Sequence, residues 1–400
     1  MKKNTLNLLI LIMCCLFMSS IAHAISISLE VPSNWISEVN RSASVNVTVS
    51  GNFSHYPSLR VDFALSNVTR WPGRCMNDSF SDTLPDLWFD YYGQSTSGNI
   101  SWSIGSNGQT ATTTFSPTPG QTRKVFSVKV YCYDYAAYGN ISATLRSSSG
   151  STLATSSSVS IPKDENGNKI ADASTHNNYG TTADNETGPS GNSSSGDGFT
   201  VFEEYRGFMV NSSHKRTSSA KKDVFIYSIV SEGLGYAGNM NASYPGTFVF
   251  HSIKVHEMSS KKDRKMNYRV CSGYHKMLQR AVLVREGTTT ENRNAPGTYG
   301  HAYPYVGVYS PNIPANMVQA IIYRTNIRND LEDQQIAGRP HISESEVVRI
   351  VIAYEIAHHM HVNEYYGDTP SAMRRTKYLD EKRGVFPAHL HNHEYELTNY

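Results

Sequence analysis

Apolar and polar residues alternate along most of the first 160 positions of the chain. Alternation with a period of two indicates strands that bury one face, and the Asn, Gly and Ser clusters between the runs are typical of turns. The pattern predicts an antiparallel all-β sandwich over residues 25–162. The clearest runs are Val45, Val47 and Val49; Leu59, Val61, Phe63 and Leu65; and Phe126, Val128, Val130 and Cys132.

Residues 163–212 contain too few apolar side chains to form a core, so this segment is predicted to be a linker. Its first part, "DENGNKIAD", has oxygen-bearing side chains at alternating positions around Gly167. This spacing lets a short loop wrap hard oxygen donors around calcium. The predicted ligands are Asp164, Asn166, Asn168 and Asp172.

The end of the linker, "SSSGDGFTVFEEY", has the spacing of a second calcium loop. Asp197 stands at the fifth position, Gly198 at the sixth and Glu204 at the twelfth. Serines occupy the first and third positions, where carboxylates are expected, and this weakens the site. The alternative for both loops is a solvated linker that binds no metal.

The chain from about residue 213 to 400 is predicted to form one α+β domain. Short runs rich in β-branched and aromatic residues, "KKDVFIYSIV" and "MVQAIIYRTNI", indicate strands. The segment "SESEVVRIVIAYEIAHHM" indicates a long helix, and Ser343 and Glu346 form a capping box at its start.

The first 24 residues have the pattern of a cleaved secretory signal: a basic start, a short apolar core and small residues before the cut. The mature chain is therefore expected to begin near Ile25 and to be secreted, periplasmic or at the cell surface. Lipid attachment at Cys14 or Cys15 is the alternative, although Met13 is bulky for that position. The mature chain is expected to have no membrane span, because no later apolar run approaches the length that a helical span needs.

Composition agrees with an exported, β-rich protein, since only 18% of the residues are charged and the net charge is +2. A balance this close to neutral argues against a nucleic-acid partner. Export also favours a disulfide between Cys75 and Cys132, which would leave Cys271 unpaired. Three buried free thiols are the alternative.

The late segment "AYEIAHHMHVNEYYG", residues 353–367, carries the candidate chemistry. Zinc proteases place two histidines four apart on one helix, with a glutamate beside the first that activates water. In the longer frame His-Glu-x-x-His-x-x-Gly-x-x-His, a turn supplies the third ligand. On that frame, Tyr354, His358 and Glu364 fall at the ligand positions and Glu355 at the general base, and Met373 of "GDTPSAMRR" falls at a methionine turn.

This frame resembles that of exported microbial metzincin-type zinc metallopeptidases. The N-terminal part resembles the immunoglobulin-like modules that precede such domains, and the linker loops are similar to thrombospondin type 3 and EF-hand-like calcium repeats. The resemblance implies a multidomain protein: an immunoglobulin-like sandwich, a calcium linker and a metzincin-like domain that holds zinc.

The predicted zinc ligands depart from the family pattern, because His358 is the only histidine among the three ligand positions. A Tyr354 phenol must lose a proton to bind zinc, so a site with Tyr354 and Glu364 should be weak. Other histidines that could take part are His361 on the helix and His389, His391 and His393 in the tail.

The departures favour a homologue whose zinc-dependent endopeptidase activity is lost or weakened and which acts as a binding or structural protein. Its partner would be an extracellular protein or peptide, or a glycan held by the sandwich. The alternatives are an active endopeptidase with an atypical Tyr/His/Glu site and an unrelated, calcium-stabilised, adhesin-like surface protein.

Overall fold

A computed structural model describes most of the chain between residues 24 and 374. The described ranges are 24–80, 82–90, 94, 100–176, 199–217, 221–233, 248–268, 280–296, 298–303, 318–336, 343–359 and 372–374. The predicted signal segment lies almost entirely outside these ranges, and Cys271 and the histidines of the tail lie wholly outside them.

Two antiparallel sheets form the N-terminal part, which confirms the predicted all-β sandwich. One sheet has the order β1-β2-β7-β4, and the other has the order β10-β8-β3-β6-β5, with β9 also paired to β8. The strands are β1 (Ser26–Glu30), β2 (Ser42–Ser50), β3 (Leu59–Ser66), β4 (Leu87–Phe89), β5 (Ser101–Ile104), β6 (Thr110–Phe115), β7 (Arg123–Cys132), β8 (Gly139–Ser147), β9 (Thr152–Thr155) and β10 (Val159–Ile161).

The predicted alternation is what builds the sandwich core. Val45, Val47 and Val49 of β2 are fully buried, whereas Ser44 and Asn46, which alternate with them, are exposed. The inward residues of both sheets form one cluster, in which Phe63 packs against Trp102 and Phe89. Burial of this apolar area is the main stabilising term of the domain.

Cys75 and Cys132 are both buried free thiols, so the predicted disulfide between them is absent from the structure. Each thiol has a separate acceptor: Cys132 Sγ donates to the carbonyl of Asp134 at 2.8 Å, and Cys75 Sγ points at Asn77 Oδ1. Burial raises the pKa of the Cys75 thiol to about 12, which keeps it protonated and unreactive.

The C-terminal part contains a mixed sheet with the order β14-β13-β15-β17-β16-β18. The first four strands in this order are parallel, and β16 is antiparallel to both β17 and β18. A small antiparallel hairpin, β11-β12, precedes the sheet. The strands are β11 (Phe208–Val210), β12 (Ser213–Lys215), β13 (Lys222–Ser228), β14 (Phe248–Ser252), β15 (Val282–Glu286), β16 (Thr298–Tyr303), β17 (Gln319–Ile322) and β18 (Ala372–Arg374).

The helices of this part are α1 (Val201–Arg206), α2 (Thr289–Asn294), α3 (Arg324–Ile336) and α4 (Glu344–His359), with short 3-10 turns at Ser231–Gly233 and Val255–Glu257. Helix α4 begins where the capping pattern predicts, since Ser343 Oγ accepts the backbone N–H of Glu346. The prediction that "MVQAIIYRTNI" is all strand is wrong at its end. The carbonyl of Tyr323 accepts the N–H groups of Asn326 and Ile327, and this opens α3.

A buried ion pair connects the sandwich to the segment that follows the linker. Arg206, the last residue of α1, donates to Asp134 at 2.7 Å, and neither side chain is more than 1% exposed. The same guanidinium donates to the carbonyls of Pro72 and Gly73 in the loop between β3 and β4. This one side chain therefore connects three separate segments of the chain by hydrogen bonds.

The loop between β3 and β4 also reaches the C-terminal part. The side chain of Asn77 donates to the carbonyls of Met209 and Glu257 and accepts the N–H of Met209. Met76 packs into the aromatic cluster that Phe208 and Phe225 help to form. The sandwich and the mixed sheet are thus joined by specific contacts and not only by the chain.

No helix of the described residues is both long and apolar enough to cross a bilayer.

The Arg206–Asp134 pair predicts that Asp134→Asn strongly lowers the free energy of unfolding, because the variant leaves a buried guanidinium without its counter-charge. We expect a loss of about 3 kcal/mol in the free energy of unfolding, measured by urea denaturation. The control is Asp62→Asn, because Asp62 pairs with Arg60 and Arg146 in the same domain but is 30% exposed. That change should cost about 1 kcal/mol or less. Equal losses in the two variants would contradict the role assigned to Asp134.

Candidate functional site

Helix α4 carries the candidate general base on its buried face. Val348, Val351, Ile352 and Ile356 are fully buried, and Glu355 among them is also 0% exposed. The spacing of three and four residues places these side chains on one side of the helix. The predicted base therefore faces the sheet and not the solvent.

Glu355 lies against strand β16 at Gly300. A Cβ atom added to Gly300 would stand 2.6 Å from Glu355 Oε1 and 2.4 Å from Val351 Cγ1. Real Cβ atoms do not approach other atoms so closely, so only glycine allows the helix to pack at this distance. Sequence analysis missed this residue, although a lone glycine inside a strand is a known signal of close approach.

Met373, predicted to lie in a methionine turn, instead lies in strand β18, which pairs with the strand that contains Gly300. Gly300 of β16 is the register partner of Met373 of β18, and α4 contacts both strands. Two residues that the sequence placed in one site, Glu355 and Met373, are thus brought to the same place in the fold. His301 follows Gly300, so its side chain leaves the opposite face of the strand. Burial lowers the pKa of His301, which favours its neutral form.

The predicted zinc ligands lie largely outside the described part of the structure. Tyr354 and His358 are on the described backbone of α4, one turn apart, but their side chains are not described, and neither is that of Met373. Glu364 and His361 fall in the undescribed range 360–371. Within the described ranges, no group of three or more His, Cys, Asp or Glu side chains is close enough to hold a metal ion.

A charged network fixes the start of α4 and hence the position of Glu355. Arg324, the first residue of α3, donates to Glu232, Glu286 and Glu344, with each shortest distance 2.7 Å. The bond to Arg324 lowers the pKa of Glu232 to about 2, so this carboxylate stays charged at any physiological pH. Because Glu344 begins α4, the network connects that helix to Glu232, which follows β13, and to Glu286, the last residue of β15.

Strand β16 is also connected to α3. The hydroxyl of Tyr299 donates to Asp330 Oδ2 at 2.6 Å, and both residues are buried. The side chain of Asn326 donates to the carbonyl of Thr298 at 2.8 Å. These contacts hold the strand that Glu355 packs against.

The first predicted calcium loop is a series of tight turns closed by its own side chains. Asp164 accepts the N–H groups of Gly167 at 2.8 Å and Lys169 at 2.9 Å, and Asn166 accepts that of Asn168 at 3.1 Å. Gly167 and Lys169 both have positive φ, which bends the loop back on itself. The loop also packs on the sandwich, because Ile170 and Ala171 are buried in a cluster with Ala136 and Tyr205.

The second predicted calcium loop is described only at its end. Asp197 lies outside the described residues, whereas Glu204 is in α1 and is 0% exposed. Helix α1 begins with a capping box in which Thr200 accepts the N–H of Glu203 and Glu203 accepts that of Thr200.

No family model matches the sequence, and no curated protein matches it. Several solved structures share a weak likeness with about a third of the chain. A Bacteroides uniformis β-glucuronidase is 12% identical, with a TM-score of 0.20, over 34% of this chain and 12% of its own. A cohesin module from a Clostridium perfringens family 33 glycoside hydrolase is 11% identical, with a TM-score of 0.23, over 34% of this chain and 94% of its own.

A Nocardia farcinica protein with an immunoglobulin-like fold is 10% identical, with a TM-score of 0.18, over 32% of this chain and 81% of its own. The chain thus spans only about an eighth of the β-glucuronidase, although it spans most of the two smaller proteins. At these TM-scores the likenesses carry no argument about fold or function.

The contact between Gly300 and α4 predicts that Gly300→Ala destabilises the C-terminal part. The added methyl group overlaps Val351 Cγ1 and Glu355, so we expect a loss of about 1–3 kcal/mol in thermal or urea unfolding. In a Val351→Ala background the nearest atom is removed, and the same change should cost less. A cost that is unchanged in that background would contradict the steric explanation.

Proposed function

We propose that residues 213–400 form a metzincin-like metallopeptidase domain with an altered zinc site, and that the exported protein acts by binding and not by peptide hydrolysis. The observation that carries the proposal is the position of Glu355. Glu355 lies beside the strand pair that contains Met373 and has no exposed surface.

Full burial argues against hydrolysis for a physical reason. A general base must reach the water that attacks the substrate, and that water must in turn reach the peptide. In the described part of the structure, the Glu355 carboxylate lies against the strand at Gly300 and has no surface exposed to water. The changed ligand positions support the same conclusion, because Tyr354 and Glu364 bind zinc less well than two histidines.

The first test is metal analysis of the purified mature protein together with cleavage of an unstructured protein such as casein. We expect much less than one zinc per chain, no cleavage that a chelator abolishes, and no effect of Glu355→Gln. The matched control is Glu346→Gln, an exposed position on the same helix. Stoichiometric zinc and chelator-sensitive cleavage that Glu355→Gln alone removes would show an active endopeptidase instead.

The match to the metzincin ligand pattern can be tested by restoring the two missing histidines. On the metzincin ligand pattern, the double variant Tyr354→His, Glu364→His completes a three-histidine site with His358, and zinc occupancy should rise towards one per chain. Two histidines placed out of frame, by Glu346→His and Tyr365→His, provide the control. Equal zinc content in both double variants would remove the metzincin assignment.

We also propose that the loop at Asp164 binds calcium and fixes the point where the chain leaves the sandwich. Carboxylate and amide oxygens are the donors that calcium prefers, and Asp164, Asn166, Asn168 and Asp172 supply them within nine residues. The side-chain oxygens of Asp164, Asn166 and Asn168 each accept a backbone N–H, and an oxygen that accepts one N–H keeps a second lone pair for a cation. The second loop, with Asp197 and Glu204, is a further candidate for the same ion.

Calcium should therefore raise the melting temperature and slow proteolysis after residue 163. A calcium concentration of 100 times Kd would add about 2.7 kcal/mol to the free energy of unfolding. Asp172→Asn should weaken the effect, whereas Glu165→Gln should not, because Glu165 is exposed and is not a predicted ligand. Identical melting curves with calcium and with chelator would contradict the assignment.

A further inference from the structure

Four aromatic side chains form a continuous row on the sandwich, and neither the zinc nor the calcium site uses them. The ring centroids of Tyr131 and Trp88 are 6.1 Å apart, those of Trp88 and Tyr133 are 6.0 Å apart, and those of Tyr133 and Phe80 are 6.0 Å apart. We call Tyr131, Trp88, Tyr133 and Phe80 the aromatic row.

The row lies on the outer face of the sheet that contains β4 and β7. Leu87 and Phe89 on either side of Trp88 point into the core, so Trp88 points outward. Trp88 and Tyr131 are register partners, and their ring planes differ by only 26°. Trp88, Tyr131 and Tyr133 are partly exposed, and Phe80 is 46% exposed.

The backbone beneath Trp88 is fixed on both sides. On one side β4 pairs with β7, and on the other Phe89 donates to the carbonyl of Gly108 at 2.7 Å. The turn at Gly108 approaches so closely that a Cβ there would lie 2.9 Å from Trp88 Cβ. Trp88 is therefore held in place before any ligand arrives, and a preformed site loses less entropy on binding.

The surface beside the row is polar. The residues of β2 and β7 that alternate with the core side chains are mostly hydroxyl and amide residues, with Arg123 and Lys129 as the charged members. Ser42 is the register partner of Tyr131, and Ser44 and Asn46 are the next outward residues along β2. The stacked pair of Trp88 and Tyr131, bordered by these hydrogen-bonding groups, suits a ligand that has both apolar and hydroxyl faces.

We propose that the aromatic row is a binding site for a neutral polysaccharide chain. The C–H face of a pyranose ring would pack on Trp88 and Tyr131, and its hydroxyl groups would bond to the neighbouring serine and amide side chains. This inference names a ligand class for the binding function proposed above, and it rests on that proposed function. The site itself is separate from Glu355 and needs no metal.

The test is retention of the mature full-length protein on neutral polysaccharides, by pull-down on cellulose and chitin and by affinity electrophoresis in β-glucan, xylan and mannan. We expect binding to at least one of them, unaffected by chelator and by 0.5 M salt. Trp88→Ala and Tyr131→Ala should each weaken it about tenfold or more, which corresponds to about 1.4 kcal/mol.

Val125→Ala is the matched control, because Val125 is 52% exposed and lies on the same outward side of β7, away from the row. It should bind like the wild type, and circular dichroism and melting curves should show that all variants fold. Failure to bind any of the five polysaccharides would overturn the proposal, as would wild-type binding by Trp88→Ala. Loss of binding at high salt would point to a charged ligand and would also overturn it. None of these outcomes depends on zinc. A negative result would therefore contradict the polysaccharide site without deciding the metallopeptidase proposal, which the zinc and cleavage measurements test.

Discussion

The buried pair of Arg206 and Asp134 is the contact on which the arrangement of the two parts depends. A guanidinium with no exposed surface needs a counter-charge and hydrogen-bond acceptors. Asp134 supplies the charge, and Asp134 with the carbonyls of Pro72 and Gly73 accepts the N–H groups of Nε and Nη2. The requirement fixes the loop before β4, the end of β7 and the end of α1 relative to one another. The first strand of the mixed sheet, β13, begins within twenty residues of Arg206. The contact of Arg206 with the sandwich therefore limits where the sheet can lie relative to it.

Within the C-terminal part, the position of Glu355 follows from two constraints at opposite ends of α4. The Arg324 network fixes the start of the helix, and the missing side chain of Gly300 lets its middle approach β16. Together they place the Glu355 carboxylate on the buried face of α4, among Val351, Ile352 and Ile356. The helix thus presents Glu355 to the strand pair β16-β18 and not to solvent.

Period-two alternation was enough to predict the sandwich, because a half-buried strand leaves the same pattern wherever it occurs. The helix at α4 was equally predictable from the Ser343 cap and its apolar face. The order of strands in the mixed sheet was not, since it depends on contacts between distant segments that leave no local pattern. Arg324 was missed for the same reason, whereas Gly300 carried a local signal, a lone glycine inside a strand, that was not used. Cys75 and Cys132 share a domain, but both are free thiols in the structure.

The loop between β3 and β4 connects the aromatic row to the domain junction. Phe80 belongs to the row, and three residues earlier Asn77 bonds to Met209 and Glu257 of the C-terminal part. Between them, Asp78 accepts from Arg74 and from the N–H of Phe80, so the segment is closed by its own hydrogen bonds. A ligand that packs on Phe80 therefore contacts the same short segment that joins the two parts, and the sandwich presents that ligand in a fixed orientation relative to the domain that follows.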